Sequence, residues 1–260
     1  MLSETQYIKR FLQTSLRCLL LCAVLLMTSR AANAQLGMNR PYVDDKLIHF
    51  GFSLGVNFMS FYTSESLDPM DGMILDGANT RAFAGEVFHA RVSYMLPGFS
   101  VGFITDLRLA RYLSLRFTPQ LHFGQRVLTY RSESGKFDKL TTDVLSLPLT
   151  IPLELKWSAE REGNFRPYVI AGGGISYNFG QDKKRPILLE PLDYFIQVGA
   201  GVDLYFRWFK LCPEIKYQIG FNNVLVPAER RIELQPNEAF YTNAIHRLNS
   251  HMITIVFNFE

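Results

Sequence analysis

The feature that most constrains this chain is a strict two-residue alternation of apolar and polar side chains. In the stretch SLPLTIPLELKW, residues 146–157, every second residue from Leu147 to Trp157 is apolar, and Pro, Thr, Glu and Lys stand between them. Side chains of a β-strand point alternately to opposite faces, so this spacing predicts an amphipathic strand. The function depends on whether the apolar face contacts a protein core or lipid.

The first 34 residues are predicted to be a secretory signal peptide. The basic pair Lys9-Arg10 precedes the apolar run CLLLCAVLLM, residues 18–27, and the small-residue sequence ANA follows at 32–34. A membrane-spanning helix needs roughly 20 apolar residues, about twice the length of this run. The order of basic, apolar and small residues is typical of an export signal. We therefore predict cleavage before Gln35.

The charge of the exported chain gives no reason to expect a nucleic-acid partner. Four of the 27 Lys and Arg and one of the 24 Asp and Glu lie in residues 1–34, which leaves 23 of each sign. Nucleic-acid binding needs an excess of basic side chains. Of the three cysteines only Cys212 lies beyond the signal, so no internal disulfide is possible.

The alternation recurs eight times along the exported chain. The alternating segments are 49–62, 97–109, 112–130, 146–157, 165–179, 192–207, 210–221 and 248–260. Links on one side are short, and those on the other side are long and rich in Asp, Asn, Gly and Pro: 63–96, 131–142, 180–191 and 222–247. An even number of strands with this arrangement is typical of bacterial outer-membrane barrels.

We therefore predict an all-β fold, an eight-stranded antiparallel up-and-down transmembrane β-barrel of the outer-membrane type. Residues 1–34 are the signal peptide, residues 35–48 a periplasmic N-terminal segment and residues 49–260 the barrel. Prolines within the predicted strands each remove a donor from the hydrogen-bond ladder, and a closed barrel has no edge to place them on. We expect bulges or locally open ladders near them. They are Pro119, Pro148, Pro152, Pro167 and Pro213.

Alternation alone fits both a membrane barrel and a soluble barrel with an apolar interior. Three features favour contact of the apolar faces with lipid. The chain has an export signal, its strands reach or exceed the roughly 9–11 residues that cross a bilayer, and its polar faces are rich in Gly and Ser. Aromatic residues near strand ends also resemble the two interfacial girdles of a membrane barrel. They are Tyr112, Tyr130, Trp157, Phe165, Tyr168, Phe206, Trp208, Phe209, Phe221, Phe257 and Phe259.

If the apolar faces contact lipid, ten charged side chains point into a narrow lumen or lie near its mouth. Charges in so confined a space have to be paired. An eight-stranded barrel has room for little more than side chains, so we expect a structural plug rather than an ion or substrate pathway. The ten residues are Asp106, Arg108, Arg116, Glu154, Lys156, Arg166, Asp203, Arg207, Glu214 and Lys216.

An enzyme is a further hypothesis, because some small outer-membrane barrels act on lipids with Ser and His near the rim. His246, Ser250 and His251 lie near the start of the last strand, but no nucleophile-elbow sequence or paired acid accompanies them. The sequence has no HxxxH-type pair, Cys cluster or glycine-rich turn leading into a helix. We therefore expect no catalysis, no metal, no cofactor and no small-molecule substrate.

Five segments along the exported chain carry a family resemblance. They are DDKLIHFGFSLGVNFMSF (44–61), PGFSVGFITDLRLARYLSLRFTPQLHFGQRVLTY (97–130), FRPYVIAGGG (165–174), PEIKYQIGFNNVL (213–225) and AIHRLNSHMITIVFNFE (244–260). In this order they resemble PorT, the small outer-membrane barrel associated with the type IX secretion system and gliding motility of Bacteroidota.

The resemblance implies a location in the cell outer membrane and an accessory or assembly role in protein secretion, the export of cargo that carries the type IX C-terminal signal. It implies outer-membrane lipid and other type IX secretion components as partners, and it transfers no catalytic residue. The alternative is a general structural or adhesive small barrel of the OmpX type.

Overall fold

The computed structural model describes residues 38–65, 88–132, 140–179, 185–231, 239–243 and 245–260. The predicted signal peptide, with its cleavage position before Gln35, lies outside these residues. No described helix has the length and apolar character that crossing a membrane would require.

Within the described residues the chain forms ten strand segments in one antiparallel sheet. The strands are β1 (Ile48–Glu65), β2 (Phe88–Met95), β3 (Pro97–Arg108), β4 (Leu113–Phe117), β5 (Gln120–Ser132), β6 (Leu140–Ser158), β7 (Phe165–Phe179), β8 (Leu192–Tyr205), β9 (Lys210–Gly220) and β10 (Ile245–Phe259). A five-residue helix, α1 (Ala239–Asn243), precedes β10, and 3-10 turns cover Val43–Asp45 and Ala228–Arg230.

The sheet closes into a barrel because β1 has a strand partner on each side. Phe52 is opposite Phe259 of β10 and also opposite Phe103 of β3. β2 and β3 both pair with β5 and form one continuous strand with a bend at Leu96. β4 and β5 likewise form one strand, interrupted at Thr118, and both pair with β6. The ten segments therefore make eight barrel strands, which confirms the predicted fold.

Three of the predicted long loops contain strand, since β10 also begins inside the predicted loop 222–247, at Ile245. β1 continues to Glu65 and β2 covers Phe88–Met95, so the prediction of a loop over 63–96 is wrong at both of its ends. β6 begins at Leu140, within the predicted loop 131–142. These additions extend the barrel wall beyond the long-loop side of the predicted strands. We call this side the loop end, and the side with turns 109–112, 159–164 and 206–209 the turn end.

Four of the five strand prolines lie beside gaps in the ladder, as predicted, whereas Pro167 pairs with Val202 in an unbroken register of β7 and β8. Leu121 is opposite Leu149 and Gly124 is opposite Ser146, but the positions between them, which include Pro148, are unpaired between β5 and β6. In the same way Pro213 lies in a gap between the Gly201–Glu214 and Leu204–Leu211 pairs of β8 and β9. The break between β4 and β5 is at Thr118-Pro119, opposite Pro152 of β6.

The apolar faces of the strands point outward and the polar faces point inward. Phe103 and Trp157 expose 72% and 67% of their surface, whereas Arg116 and Glu154 expose none. Burial also alternates residue by residue along β7 and β9. Apolar side chains would not be left on the outside of a barrel in water while ions fill its interior. The outer surface is therefore the lipid-facing surface of a membrane barrel.

Two of the predicted girdle aromatics belong to the interior instead. Tyr130 and Tyr168 are buried, with 0% and 4% of their surface exposed. Each shares the inward parity of its strand, since Tyr130 lies two residues from buried Leu128 and Tyr168 two from buried Ile170. The remaining girdle residues are exposed or partly exposed on the outside.

Glycine allows close strand approach where β7 packs beside β6. A Cβ on Gly172 would lie 2.2 Å from the Leu153 carbonyl oxygen, and one on Gly174 would lie 2.3 Å from that of Ile151. Cβ atoms do not approach other atoms so closely, so the Ala171-Gly172-Gly173-Gly174 stretch is a packing feature of the strand.

Candidate functional site: the closed lumen

A buried ion-pair network fills the turn-end half of the lumen, with Arg116 of β4 at its centre. Its guanidinium donates to Asp106 Oδ2 from Nη2 at 2.9 Å and from Nε at 3.3 Å. It also pairs with Glu214 of β9 and lies 3.5 Å from Glu260 Oε1. The phenol of Tyr168 donates to Glu214 at 2.6 Å. Arg116 thus joins strands from opposite walls of the barrel.

Three lysines also pair with the buried carboxylates of the lumen. Lys156 Nζ lies 2.8 Å from Asp203 Oδ2 and 3.7 Å from Asp106 Oδ2. Lys216 lies 3.2 Å from both Glu154 and Glu214, and Lys210 pairs with Glu260. Each carboxylate contacts at least one cation, as burial of charge in a low-dielectric interior requires.

The structure brings together seven of the ten predicted lumen residues: Asp106, Arg116, Glu154, Lys156, Asp203, Glu214 and Lys216. Arg108 and Arg166 lie at the turn-end mouth. The placement of Arg207 with the lumen charges was wrong. β8 ends at Tyr205, so the inward parity stops there and Arg207 is exposed in the turn.

Sequence reasoning missed Lys210 and Glu260, although parity could have found both. Lys210 alternates with Cys212 and Glu214 on β9, and Glu260 continues the inward series of Val256 and Asn258. The side chains of Lys210 and Glu260 are 4% and 2% exposed.

The N-terminal segment covers the turn end of the lumen, and Asp44 is its main attachment. The Asp44 carboxylate accepts a hydrogen bond from Tyr205 at 2.7 Å and one from Arg161 at 3.3 Å, and lies 3.8 Å from Arg166. Its carbonyl accepts a 2.7 Å bond from Arg108. Val43 is buried, and its carbonyl accepts a 2.8 Å bond from the His49 ring. Residues 40–47 therefore close this mouth with hydrogen bonds to the barrel wall.

Neutral polar groups occupy the middle of the lumen. Ser100 Oγ lies 2.7 Å from His122 Nδ1, and His122 Nε2 lies 2.9 Å from Thr150 Oγ1. Asn57 donates to Ser100 Oγ at 2.8 Å, and Ser53 donates to Asn258 at 2.5 Å. These bonds cross between neighbouring strands and hold the polar faces together without a charge.

Arg126 of β5 marks the change from a polar to an apolar interior. Its guanidinium carbon lies 4.3 Å from the centre of the Phe61 ring, and Nη2 contacts the sulfur of Met59 at 3.4 Å. Nε and Nη1 have no hydrogen-bond partner among the described residues. Arg126 is buried, with 4% of its surface exposed, so the side chain is a poorly compensated charge.

The loop end of the lumen is closed by an apolar cluster that the sequence analysis did not anticipate. Inward residues of the wall meet residues of the segments that follow β7 and β9, and all ten members are buried: Phe61, Leu128, Tyr130, Val144, Ile187, Leu189, Val224, Leu225, Ile245 and Leu248. Leu189 and Leu225 form a β-bridge, and the Val224 amide donates to the Leu248 carbonyl at 2.8 Å.

Helix α1 fastens this cap to the wall, and Arg231 joins two segments of the cap. Tyr130 donates to the Tyr241 carbonyl at 2.8 Å, and the two rings are 5.0 Å apart. Arg231 donates to the Pro186 carbonyl at 2.6 Å, and Thr242 donates to the same oxygen at 2.9 Å. The described loop-end segments therefore fold back over the lumen.

The residues considered for catalysis do not form a catalytic arrangement. Ser250 and His251 are consecutive residues of a strand, so their side chains point to opposite faces. The His251 Nδ1 atom lies 3.0 Å from the Tyr217 hydroxyl on the outer surface, and His246 is exposed. The described residues contain no group of three His, Cys, Asp or Glu side chains that could hold a metal ion.

Comparison with known proteins agrees with this architecture. Residues 33–226 match the family described as "Outer membrane protein beta-barrel domain". The comparison with curated proteins gave no significant match.

Three solved structures are similar over most of the chain, at low identity. Neisserial surface protein A (NspA) is 11% identical, covers 82% of this chain and 98% of its own, with a TM-score of 0.40. The outer membrane protein OprG from Pseudomonas aeruginosa is 13% identical, with coverage of 86% and 95% and a TM-score of 0.41. The outer membrane protein AlkL in DMPC lipid bilayers is 12% identical, covers 87% of this chain and 90% of its own, and has a TM-score of 0.31.

The family match covers well over half of the 260 residues and includes the strands from β1 to β9. Its description agrees with a closed barrel that is apolar outside and charged inside. The chain therefore belongs to the outer membrane protein beta-barrel domain family, and it is a small barrel of the outer membrane.

Proposed function

We propose that this protein is a non-conducting barrel that acts through its surfaces, as a structural or adhesive component of the outer membrane. The observation that carries the proposal is the closure of the lumen at three levels. Residues 40–47 cover the turn end, the Arg116 network fills the next layer and the apolar cluster closes the loop end. A lumen closed in this way offers no path to a solute.

Conductance measurements test this proposal. The purified barrel, inserted into a planar bilayer, should give no stable current steps, whereas an open porin measured in the same membrane provides the positive control. Steady ion conductance by the unmodified barrel would refute the closed-lumen function. Deletion of the gene should lower adhesion or envelope integrity, measured by surface attachment and by sensitivity to detergent.

A second candidate function is an accessory or assembly role in type IX secretion. It rests on the resemblance of the five segments to the PorT family, above all PEIKYQIGFNNVL (213–225) and AIHRLNSHMITIVFNFE (244–260). In this role the barrel contacts other secretion components and cargo passes elsewhere. The same deletion strain separates the two functions, since loss of exported cargo from the medium supports secretion, and normal export with weakened adhesion supports the first proposal.

We also propose that the protein is not an enzyme. The triple variant His246→Ala, Ser250→Ala and His251→Ala should retain every phenotype of the wild type. Loss of function in this variant, with normal amounts of folded barrel in the membrane, would contradict a non-catalytic role.

A further inference from the structure

The outer wall of the barrel has a large apolar groove at its turn end. The groove holds about 610 Å³ and is bordered by the end of β6, the start of β7, β8 and the turn before β4. Trp157 and Val169 form exposed sides, at 67% and 50% exposure, and Ala200 lies among the lining residues. Ala200 is opposite Val169 of β7 and Ile215 of β9. A small side chain between larger neighbours leaves the wall recessed at this position.

A charged pair lies beside the apolar groove. Arg111 Nη2 and Glu160 Oε1 are 3.0 Å apart, and both side chains are more than 70% exposed. Glu160 itself lines the groove, together with Tyr112, and the Arg111 guanidinium carbon lies 5.2 Å from the centre of the Tyr112 ring. Arg166 donates to the carbonyls of Arg111 and Ala159 at 2.9 Å each, which fixes the two turns that carry the pair.

We propose that this groove binds one phospholipid of the periplasmic leaflet, with an acyl chain against Trp157, Val169 and Ala200 and a zwitterionic headgroup on the Arg111–Glu160 pair. The phosphate has the charge to pair with the Arg111 guanidinium, and a primary ammonium has the charge to pair with the Glu160 carboxylate. An amine-bearing phospholipid such as phosphatidylethanolamine matches both charges at once.

The position of the groove suits this ligand. The short turns of an outer-membrane barrel face the periplasm, and Trp and Tyr, here Trp157 and Tyr112, are the residues that lie at headgroup level. The groove is open to the lipid side of the wall because Tyr112 and Trp157, which line it, point outward. A bound lipid therefore needs no access through the closed lumen.

Quenching of Trp157 fluorescence provides the test. The Trp208→Phe variant makes Trp157 the sole tryptophan. The barrel is reconstituted into phosphatidylcholine vesicles that contain a small mole fraction of phosphatidylethanolamine or phosphatidylcholine, each with brominated acyl chains. We expect brominated phosphatidylethanolamine to occupy the site about two- to fivefold more than its mole fraction predicts, the range for an exposed charge pair. Brominated phosphatidylcholine should show no such preference.

Two pairs of variants separate the groove from the headgroup site. Ala200→Phe should fill the groove and abolish the preference, whereas Ala171→Phe, on the lipid-facing side of β7 but outside the groove lining, should retain it. Glu160→Gln should reduce the preference to that of phosphatidylcholine, whereas Glu162→Gln should not. Ala200→Leu replaces Ala200→Phe if the larger ring prevents folding, as judged by gel mobility before and after boiling.

Three results would overturn the proposal. One is quenching by both brominated lipids at their mole fractions. Another is equal loss of preference in Ala200→Phe and Ala171→Phe. The third is a dimer in native mass spectrometry that Ala200→Phe dissociates, since a second copy of the barrel would then occupy the groove.

Discussion

Replacing Arg116 by Met should destabilise the barrel strongly, because Arg116 holds the lumen network together. The side chain is fully buried and contacts Asp106, Glu214 and Glu260. Removing one partner of a buried ion pair costs about 3–5 kcal/mol. Each of the three carboxylates keeps a lysine, since Lys156 lies 3.7 Å from Asp106, Lys216 lies 3.2 Å from Glu214 and Lys210 pairs with Glu260. We therefore expect the lower end of the range, about 3 kcal/mol.

Urea unfolding in detergent micelles measures this loss. Trp157 and Trp208 are the two tryptophans of the chain and are exposed on the outer surface, so their fluorescence reports release from the micelle. With a urea dependence of about 1–3 kcal/mol per M, a loss of about 3 kcal/mol lowers the unfolding midpoint by roughly 1–3 M. Wild type and variant are compared at equal detergent concentration.

Arg111→Met is the matched control, because it removes an arginine from an ion pair of which both members are mostly exposed. Such pairs contribute about 0–1 kcal/mol. Adding Glu214→Gln to Arg116→Met should recover part of the loss, since it removes a carboxylate that Arg116 had compensated. If Arg116→Met lowers the midpoint no more than Arg111→Met does, the network does not stabilise the lumen and the reasoning is refuted.

Three further predictions concern the wall, the interior and the turn-end cover. Leu153→Lys places a charge on the lipid side of β6, where Leu153 is 53% exposed. It should lower the free energy of unfolding by about 2–4 kcal/mol near the bilayer midplane. Unfolding in vesicles measures this loss, and a loss no larger than that of Leu153→Ile would contradict the prediction. Arg126→Met should raise the urea midpoint, because burying a charge whose Nε and Nη1 have no hydrogen-bond partner among the described residues is costly, and methionine removes that cost. A lower midpoint would show that Arg126 is well compensated. Asp44→Asn should speed tryptic cleavage after Lys46, because it weakens the contacts with Tyr205, Arg161 and Arg166. Asp45→Asn is the control and should change the cleavage rate little, because the Asp45 side chain is 69% exposed. Equal cleavage rates in the two variants would contradict the role given to Asp44.

Strands whose alternation is uninterrupted could be predicted from sequence almost to the residue. β7 begins and ends where the alternation of FRPYVIAGGGISYNF begins and ends, at Phe165 and Phe179. β2 was missed although Phe88, Ala90, Val92 and Tyr94 alternate with His89, Arg91 and Ser93, because this run has only eight residues and lies inside the long link 63–96.

Alternation assigns side chains to two faces but does not show at what height the interior changes character. Phe61, Leu128 and Tyr130 have inward parity, but they are apolar and not polar. They pack against the segments around Leu189 and Val224, which fold back over this part of the lumen. That contact joins residues far apart in the chain, so local pattern does not reveal it.

The ion pairs are equally non-local. Arg116 and Glu214 are 98 residues apart and meet because their strands form opposite walls of a narrow barrel. The sequence predicted that charges share the lumen, since they have one parity and require pairing. The pairing partners depend on the stagger of all eight strands, which sequence alone does not determine.

Site-directed spin labelling along β6 and at one position of β7 tests the central claim most directly, namely that apolar side chains coat the outside of the barrel and polar ones fill it. In a Cys212→Ser background, single labels are introduced by Ile151→Cys, Leu153→Cys and Leu155→Cys on one face and by Thr150→Cys and Ser176→Cys on the other. Collision rates with oxygen, which concentrates in lipid, and with a water-soluble nickel chelate are measured in vesicles. The account predicts high oxygen collision at the first three positions and shielding from both reagents at the other two. The reverse pattern, with Leu153 shielded and Thr150 accessible to the chelate, would contradict it.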